Sequence, residues 1–332
     1  MTWRRWRALA ARHRLPLTVL ASLASAAGLA LLLYGRRDEF GAALSSAALW
    51  VIGAAIVLHV GGLLARTEAW HRTIDAAGGT VPRRVLYRAS SMQVLGSVVN
   101  PHLGVAARIA ALRRSSPEIS PQVPTLLAAE MPILAVEAAL AALTSFTLIG
   151  PLGLPWWLPL LCIAVIAALS VGMRSLALVK GRELWRGLAI VRTIRGGTML
   201  VAFVLLAVFA QIARNWLLLN AVGVDASLFD AIAVLIAVVT LGQLPIGPSV
   251  GAAAAVLILG HDGIAATAAA GILLTATGTA AGLAFAAWAG LDHLGHRFRA
   301  PTARPANPAS PPTPRRARRT PRPRPAIRRS PT

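Results

Sequence analysis

Cysteine is almost absent from this 332-residue chain, where Cys162, inside an apolar run, is the only one. A single thiol excludes an intramolecular disulfide framework and any multi-thiolate metal site. Cys162 reads as a small packing or lipid-facing side chain. Charge is scarce too: Asp, Glu, Lys and Arg make up 14% of the residues, against about a quarter in soluble domains. The chain holds no Ser-His-Asp arrangement, no phosphate-cradling glycine loop and no pair of soluble carboxylates. Neither hydrolysis nor ATP use is expected, no cofactor is implied, and the chain reads as a non-enzyme. His102 and His261 are lone histidines at turns, with no second ligand at metal spacing.

What the chain has in excess is apolar sequence, at 56% hydrophobic residues and a mean hydropathy of +0.65. Several runs reach the ~20 apolar residues that cross a bilayer core. This predicts an all-α, polytopic transmembrane helical bundle of six to eight spans. Full spans are expected over Leu15 to Tyr34, Leu44 to Ala65, Val123 to Ile149, Leu152 to Met173, Thr198 to Val222, Leu228 to Leu244 and Ile264 to Leu291. The first follows the basic segment "MTWRRWRALAARHR". It runs on past the small residues "ASAAG", which favours an uncleaved helix over a signal peptide. Helix ends are expected at "RRDEFG", "GPLGLPWW", "GVDAS" and "GHDG".

All of the 33 basic residues except Arg36, Arg37 and Arg214 fall in segments that share one side if both termini are cytoplasmic. Positively charged loops stay on that side, so a multi-pass protein of the plasma membrane with both ends inside is expected. The chain divides into a basic N-terminus (1–14), a membrane domain (15–291) and an Arg/Pro-rich tail (292–332) in which proline and charge repulsion predict disorder. That tail attracts anionic lipid; nucleic acid would bind it only without specificity. Between Arg174 and Arg195, basic residues alternate with Leu, Val and Trp as in an interfacial amphipathic segment.

Two stretches are broken alike: "LGSVVNPHLGVAA" from Leu95 and "LGQLPIGPSVGAAA" from Leu241. The segment Ala89 to Leu112 is split at Asn100-Pro101, and its flanking Arg88 and Arg108 both fall inside. Each arm has about 11 residues and is about 16 Å long, half the hydrocarbon thickness, so it fits a re-entrant hairpin. Around Gln243, Pro245, Pro248 and Gly251 the second break gives either a short extra crossing or an inverted hairpin from the outer face. Irregular backbone at membrane depth is tolerated where protein or a wet cavity surrounds it. Paired breaks in two halves point to a transporter's central site, whose half-helix N-termini direct N–H groups at an anion. The competing reading is two packing kinks closed by neighbouring helices.

Ionisable residues inside spans add candidates. Glu130 and Glu137 lie seven apart, on one face of a helix. Arg214 lies near the outer end of its span beside Gln211 and Asn215, and Arg108 begins the exit from the first hairpin. Together they suit a path for a charged headgroup. The alternatives are internal pairing of the glutamates with an arginine elsewhere, and an Arg214 that snorkels to the interface.

Three places resemble the lysylphosphatidylglycerol synthase transmembrane (flippase-like) family. "NPHLGVAAR" resembles its Asn, Pro, Gly and Arg motif through Asn100, Pro101, Gly104 and Arg108. "LLAAEMPILAVE" places Glu130 at the family's glutamate, and "GVDASLFDAIAVLIAVVTLGQLPIGPSVG" resembles its late proline-glycine break through Pro245, Pro248 and Gly251. Val105, Met131 and the alanines after Gly251 stand where the family usually carries charges. Longer relatives add a soluble aminoacyl-transferase domain; none follows Leu291, so lipid aminoacylation is not expected.

The resemblance implies movement or holding of a lipid, or lipid-linked anionic molecule, between leaflets. The alternative is a non-transporting scaffold that recruits partners or anionic lipid through the basic tail and the cytoplasmic loops. If the two breaks form inverted hairpins, a chain with Cys162 replaced and a single cysteine at Ser97 is labelled from the cytoplasmic side. A single cysteine at Ser249 is then labelled from the outside. Labelling of both from one side contradicts the inverted arrangement.

Overall fold

The computed structural model describes residues 23–97 (except 25 and 32), 101–178, 183–243 and 249–299. The basic N-terminus, half of the first expected span, Asn100, Pro245, Pro248 and the tail from residue 300 lie outside the described residues, whereas the start of the tail, 292–299, is helix rather than the disorder expected there. The chain divides into two units, Met1–His293 and Leu294–Thr332. The first holds the bundle; of the second only 294–299 is described, as helix.

Among the described residues every regular element is helical. The principal helices are α1 (Arg37–Ser46), α2 (Leu49–Ala76), α3 (Arg83–Ser97), α4 (Pro101–Ser115) and α5 (Val123–Thr144). They continue as α6 (Trp157–Leu178), α7 (Ile194–Ala221), α8 (Leu228–Leu241), α9 (Val250–Leu259) and α10 (Ile264–Arg299). Among the described residues five segments are long and apolar enough to cross a membrane: α2, α5 with its short continuation to Leu152, α6, α7 and the first 29 residues of α10. Large apolar side chains such as Leu160, Leu169, Val171, Leu206 and Phe209 face outward on them, as a lipid solvent requires. The molecule is consistent with a membrane protein.

Several helix ends follow the expected chemistry. Ser227 and Asp230 form a reciprocal capping box at the start of α8, with Asp230 N donating to Ser227 Oγ (3.2 Å) and Ser227 N to Asp230 Oδ2 (2.9 Å). At "GPLG", Gly153 takes φ 59°, left-handed backbone that favours glycine. Span boundaries move, however. The expected span from Leu44 ends at Ala65 in the sequence reading, but α2 runs on to Ala76, so Arg66 is a helix residue rather than a loop residue. The helix expected over Leu152 to Met173 instead starts at Trp157, after the Gly153 turn. α8 has 14 residues, about 21 Å, shorter than the full crossing expected for Leu228 to Leu244.

The Arg174–Arg195 region does not lie flat as one amphipathic helix. Its described part makes two short helical turns, Glu183–Arg186 and Ala189–Arg192, which insert Leu188 (0% exposed) and Ile190 (2%) into the bundle. Gly187 permits the insertion, because a Cβ there would stand 2.6 Å from the Ala128 Cβ on α5.

α2 and α7 form the central helix pair, and α3 packs along α4 as a helical hairpin. Each hairpin arm has 15 residues and is about 22 Å long, less than the ~30 Å core. The arms touch backbone to backbone near the break: a Cβ at Gly96 would lie 2.9 Å from the Gly104 Cα. Glycine pairs of this kind let helices approach closely where hydrophobic burial cannot drive association. Gly251 of the second break is likewise buried, against Gly271 of α10.

Two apolar cores form along the bundle. One joins Val51 and Ala55 of α2 to Leu218 and Leu219 of α7, Val234 of α8, Ile258 of α9 and Leu273 of α10. The other joins Trp70 and Ile74 of α2 to Leu86, Leu112, Leu126, Ile133, Ile190, Leu200 and Val204. Between them α2 and α7 carry polar residues.

Gly104→Ala places a methyl 2.7 Å from the Gln93 carbonyl oxygen, and overpacking of this kind costs about 1–3 kcal/mol. A Cβ at Gly53 meets nothing within 4 Å. Thermal unfolding in detergent is expected to show a lower midpoint for Gly104→Ala and an unchanged or slightly raised one for Gly53→Ala.

Candidate functional site

The charged residues singled out in the sequence fall in two adjoining clusters joined by α2. In the first, Arg108 of α4 is buried (1% exposed) and its Nη2 donates to Glu130 of α5, itself 6% exposed. The guanidinium carbon lies 3.9 Å from the ring centroid of Trp70 on α2. A cation stripped of water is stabilised by both the carboxylate and the electron-rich ring face. One turn of α2 further along, Arg66 Nη1 is 2.5 Å from Glu137 Oε1, and this pair is partly exposed. The seven-residue spacing on α5 does put both glutamates on one face, but each is taken by its own arginine. Pro132 lies inside α5 two residues beyond Glu130; it has no N–H, so the carbonyl four residues earlier lacks its helical donor.

Pairing leaves donors over. The Nε atoms of Arg66 and Arg108, Trp70 Nε1 and Ser90 Oγ are buried with no hydrogen-bond partner among the described residues. Buried polar atoms are usually satisfied, so the three on Arg66, Arg108 and Trp70 are the spare donors of the cluster.

The second cluster surrounds Arg214 of α7, 6% exposed. Its Nη1 is 2.9 Å from both His59 Nδ1 and Gln211 Oε1, and its Nε and Nη2 lie 3.4 and 3.2 Å from Thr277 Oγ1. Nη2 also donates to the Leu274 carbonyl. Gln211 Nε2 is 3.2 Å from the same His59 Nδ1; because a guanidinium only donates, Nδ1 is the acceptor for Arg214 Nη1. Gly62 and Gly278 make the room: a Cβ at Gly62 would stand 3.0 Å from Gln211 Nε2, and one at Gly278 3.2 Å from Arg214 Nη2. Every partner of Arg214 is neutral. No carboxylate pairs with it among the described residues. Arg214 does not snorkel; it is held inside.

The sequence reading missed Arg66 and His59. Arg66 was read as the first loop residue after an apolar run, and His59 was not singled out. The signal was present in their spacing, since His59, Arg66, Trp70 and Thr73 fall at i, i+7, i+11 and i+14 and share one helical face. Other candidates lie apart. Asn215 is buried at 3% next to Arg214 in the chain, Pro101 begins α4, and Gly104 serves the hairpin contact. Gln243 is exposed, and its side-chain amide donates to the Val239 carbonyl at 3.3 Å. At the basic end, Tyr87 donates to Glu68 Oε1 (2.8 Å), which Arg83 also approaches at 3.4 Å. Burial first, then the Glu68 hydrogen bond, pushes the Tyr87 phenol up to about 12, so it remains a donor at neutral pH. Arg88 holds Asp292 of α10 at 2.6 Å.

Comparison of the chain with protein-family models, curated proteins and solved structures found no match.

Glu130→Gln leaves Arg108 buried without its counter-charge, and breaking a buried pair from one side costs about 3–5 kcal/mol. Denaturant or thermal unfolding in detergent is expected to register that loss. The double variant Arg108→Met/Glu130→Leu is expected to recover most of it. A double variant no more stable than Glu130→Gln alone contradicts the pairing.

Proposed function

We propose that the chain is a flippase-like membrane protein that moves or holds a lipid, or a lipid-linked anionic molecule, between leaflets. The observation that carries this reading is the polar column on α2, which ends at a buried arginine without a carboxylate. From His59 to Trp70 the column extends about 16 Å, half the hydrocarbon thickness. An ionisable side chain at membrane depth is costly unless it faces protein, water or a ligand. Arg214 supplies a positive charge that no acid among the described residues balances, and the spare donors at Arg108, Trp70 and Arg66 continue the same column toward the basic end. An anionic headgroup would find a compensating charge at one cluster and hydrogen-bond donors at the other.

In this reading both termini are cytoplasmic, α3–α4 enters the membrane from the inside and returns, and α8–α9 forms the second interrupted element. The resemblance to the lysylphosphatidylglycerol synthase transmembrane family agrees with the proposal. The mutual pairing of Glu130 with Arg108, and of Glu137 with Arg66, favours a second reading: a scaffold whose charges only fix the helix register.

The test is scrambling of an acyl-labelled phosphatidylglycerol in vesicles carrying the full chain, read by chemical quenching of the outer leaflet. The proposal expects Arg214→Gln to slow exchange about tenfold or more, equivalent to about 1.4 kcal/mol of barrier. Arg37→Gln, whose side chain is 85% exposed, is expected to leave exchange unchanged. Wild-type exchange no faster than in protein-free vesicles sinks the transport reading and leaves the scaffold.

A further inference from the structure

Away from the polar column, at the basic end of the bundle, a cleft of about 380 Å³ opens between the last turns of α2 and the start of α7. It is lined by Arg72, Asp75, Thr193 and Arg195, with Ala76, Ile190 and Met199 as apolar wall. Neither guanidinium is spent. Arg72 and Arg195 make no hydrogen bond or ion pair with any described residue, and Arg72 Nε is buried without a partner. Asp75 does not neutralise them, being turned to His71 Nδ1 at 3.6 Å. The 28-residue helix α7 also begins here, its third amide satisfied by the Thr193 cap at 3.2 Å, and adds the positive end of its dipole to the two arginines.

We propose that this cleft is a binding site for a phosphate group, which the two guanidiniums grip through charge-assisted hydrogen bonds. The apolar wall leaves room for the glycerol and upper acyl carbons of a phospholipid, while a free phosphate would use the arginines alone. The site is separate from the α2 column, and its occupancy does not depend on whether the chain moves lipid.

Native mass spectrometry of the full chain released from detergent, titrated with phosphatidylglycerol, reads occupancy directly. One lipid is expected to bind at a saturable site. Arg72→Gln and Arg195→Gln should each weaken it roughly tenfold, the effect of losing one charge-assisted hydrogen bond. Arg174→Gln removes an exposed charge near the basic end of α6, outside the cleft, and should change nothing. Arg195 is exposed, so its variant remains informative if Arg72→Gln does not fold. A parallel arm adds inorganic phosphate: displacement of the lipid assigns the site to phosphate itself, and retention assigns it to the lipid headgroup with its chains. Equal weakening by Arg174→Gln, or no weakening by either cleft variant, overturns the proposal, as does a lipid count that rises without saturation. Vesicle exchange can fail while this binding persists, and the reverse, so the two readings fall separately.

Discussion

The interaction on which this bundle turns is the contact of Arg108 with Glu130 beneath the ring of Trp70. It ties three elements, α4, α5 and α2, at a point with almost no exposed surface. In an apolar medium an isolated guanidinium is far too costly to bury, so its counter-charge must arrive with the fold. The position of the α3–α4 hairpin against α5 is therefore an electrostatic matter as much as a packing one. The backbone contact at Gly96 and Gly104 then brings the two arms close enough for Arg108 to reach inward.

The same constraint organises the rest of α2. Below and above the charged layer, α2 and α7 pack through Val, Ala, Leu and Ile. Between those two cores, Gly62 and Gly278 replace bulk with space, and Arg66, His59, Gln211 and Arg214 fill it. An apolar filling would be simpler and at least as stable for a passive anchor. Glutamates matched by arginines explain part of the layer as internal pairing. Arg214, surrounded by a neutral histidine, an amide, a hydroxyl and a carbonyl, has its hydrogen bonds but not its charge answered. Register alone does not account for it.

Much of this was legible from residue types. Apolar run lengths marked α5, α6, α7 and α10; the capping box at Ser227 and the glycine at 153 marked helix ends; Pro101 marked the start of α4. The glutamates' common face followed from their spacing. Other features were not legible, for identifiable reasons. Hydropathy ends a span at the first arginine, but a helix continues wherever its hydrogen bonds and a distant carboxylate support it, so Arg66 was placed in a loop. The basic stretch around Leu188 carries an amphipathic pattern, yet Gly187 lets it sink into the bundle rather than rest on its surface.

By itself the sequence determined that the chain is helical, that its helices are suited to lipid, and where its charges are rare enough to matter. Those are local properties, set by side-chain transfer energies and by proline, glycine and capping chemistry within a few residues. Only the tertiary structure decided which arginine meets which glutamate, that Arg214 meets none among the described residues, and that Arg72 and Arg195 line one cleft. Partners distant in the chain are chosen by helix packing, and residue types alone do not encode that choice.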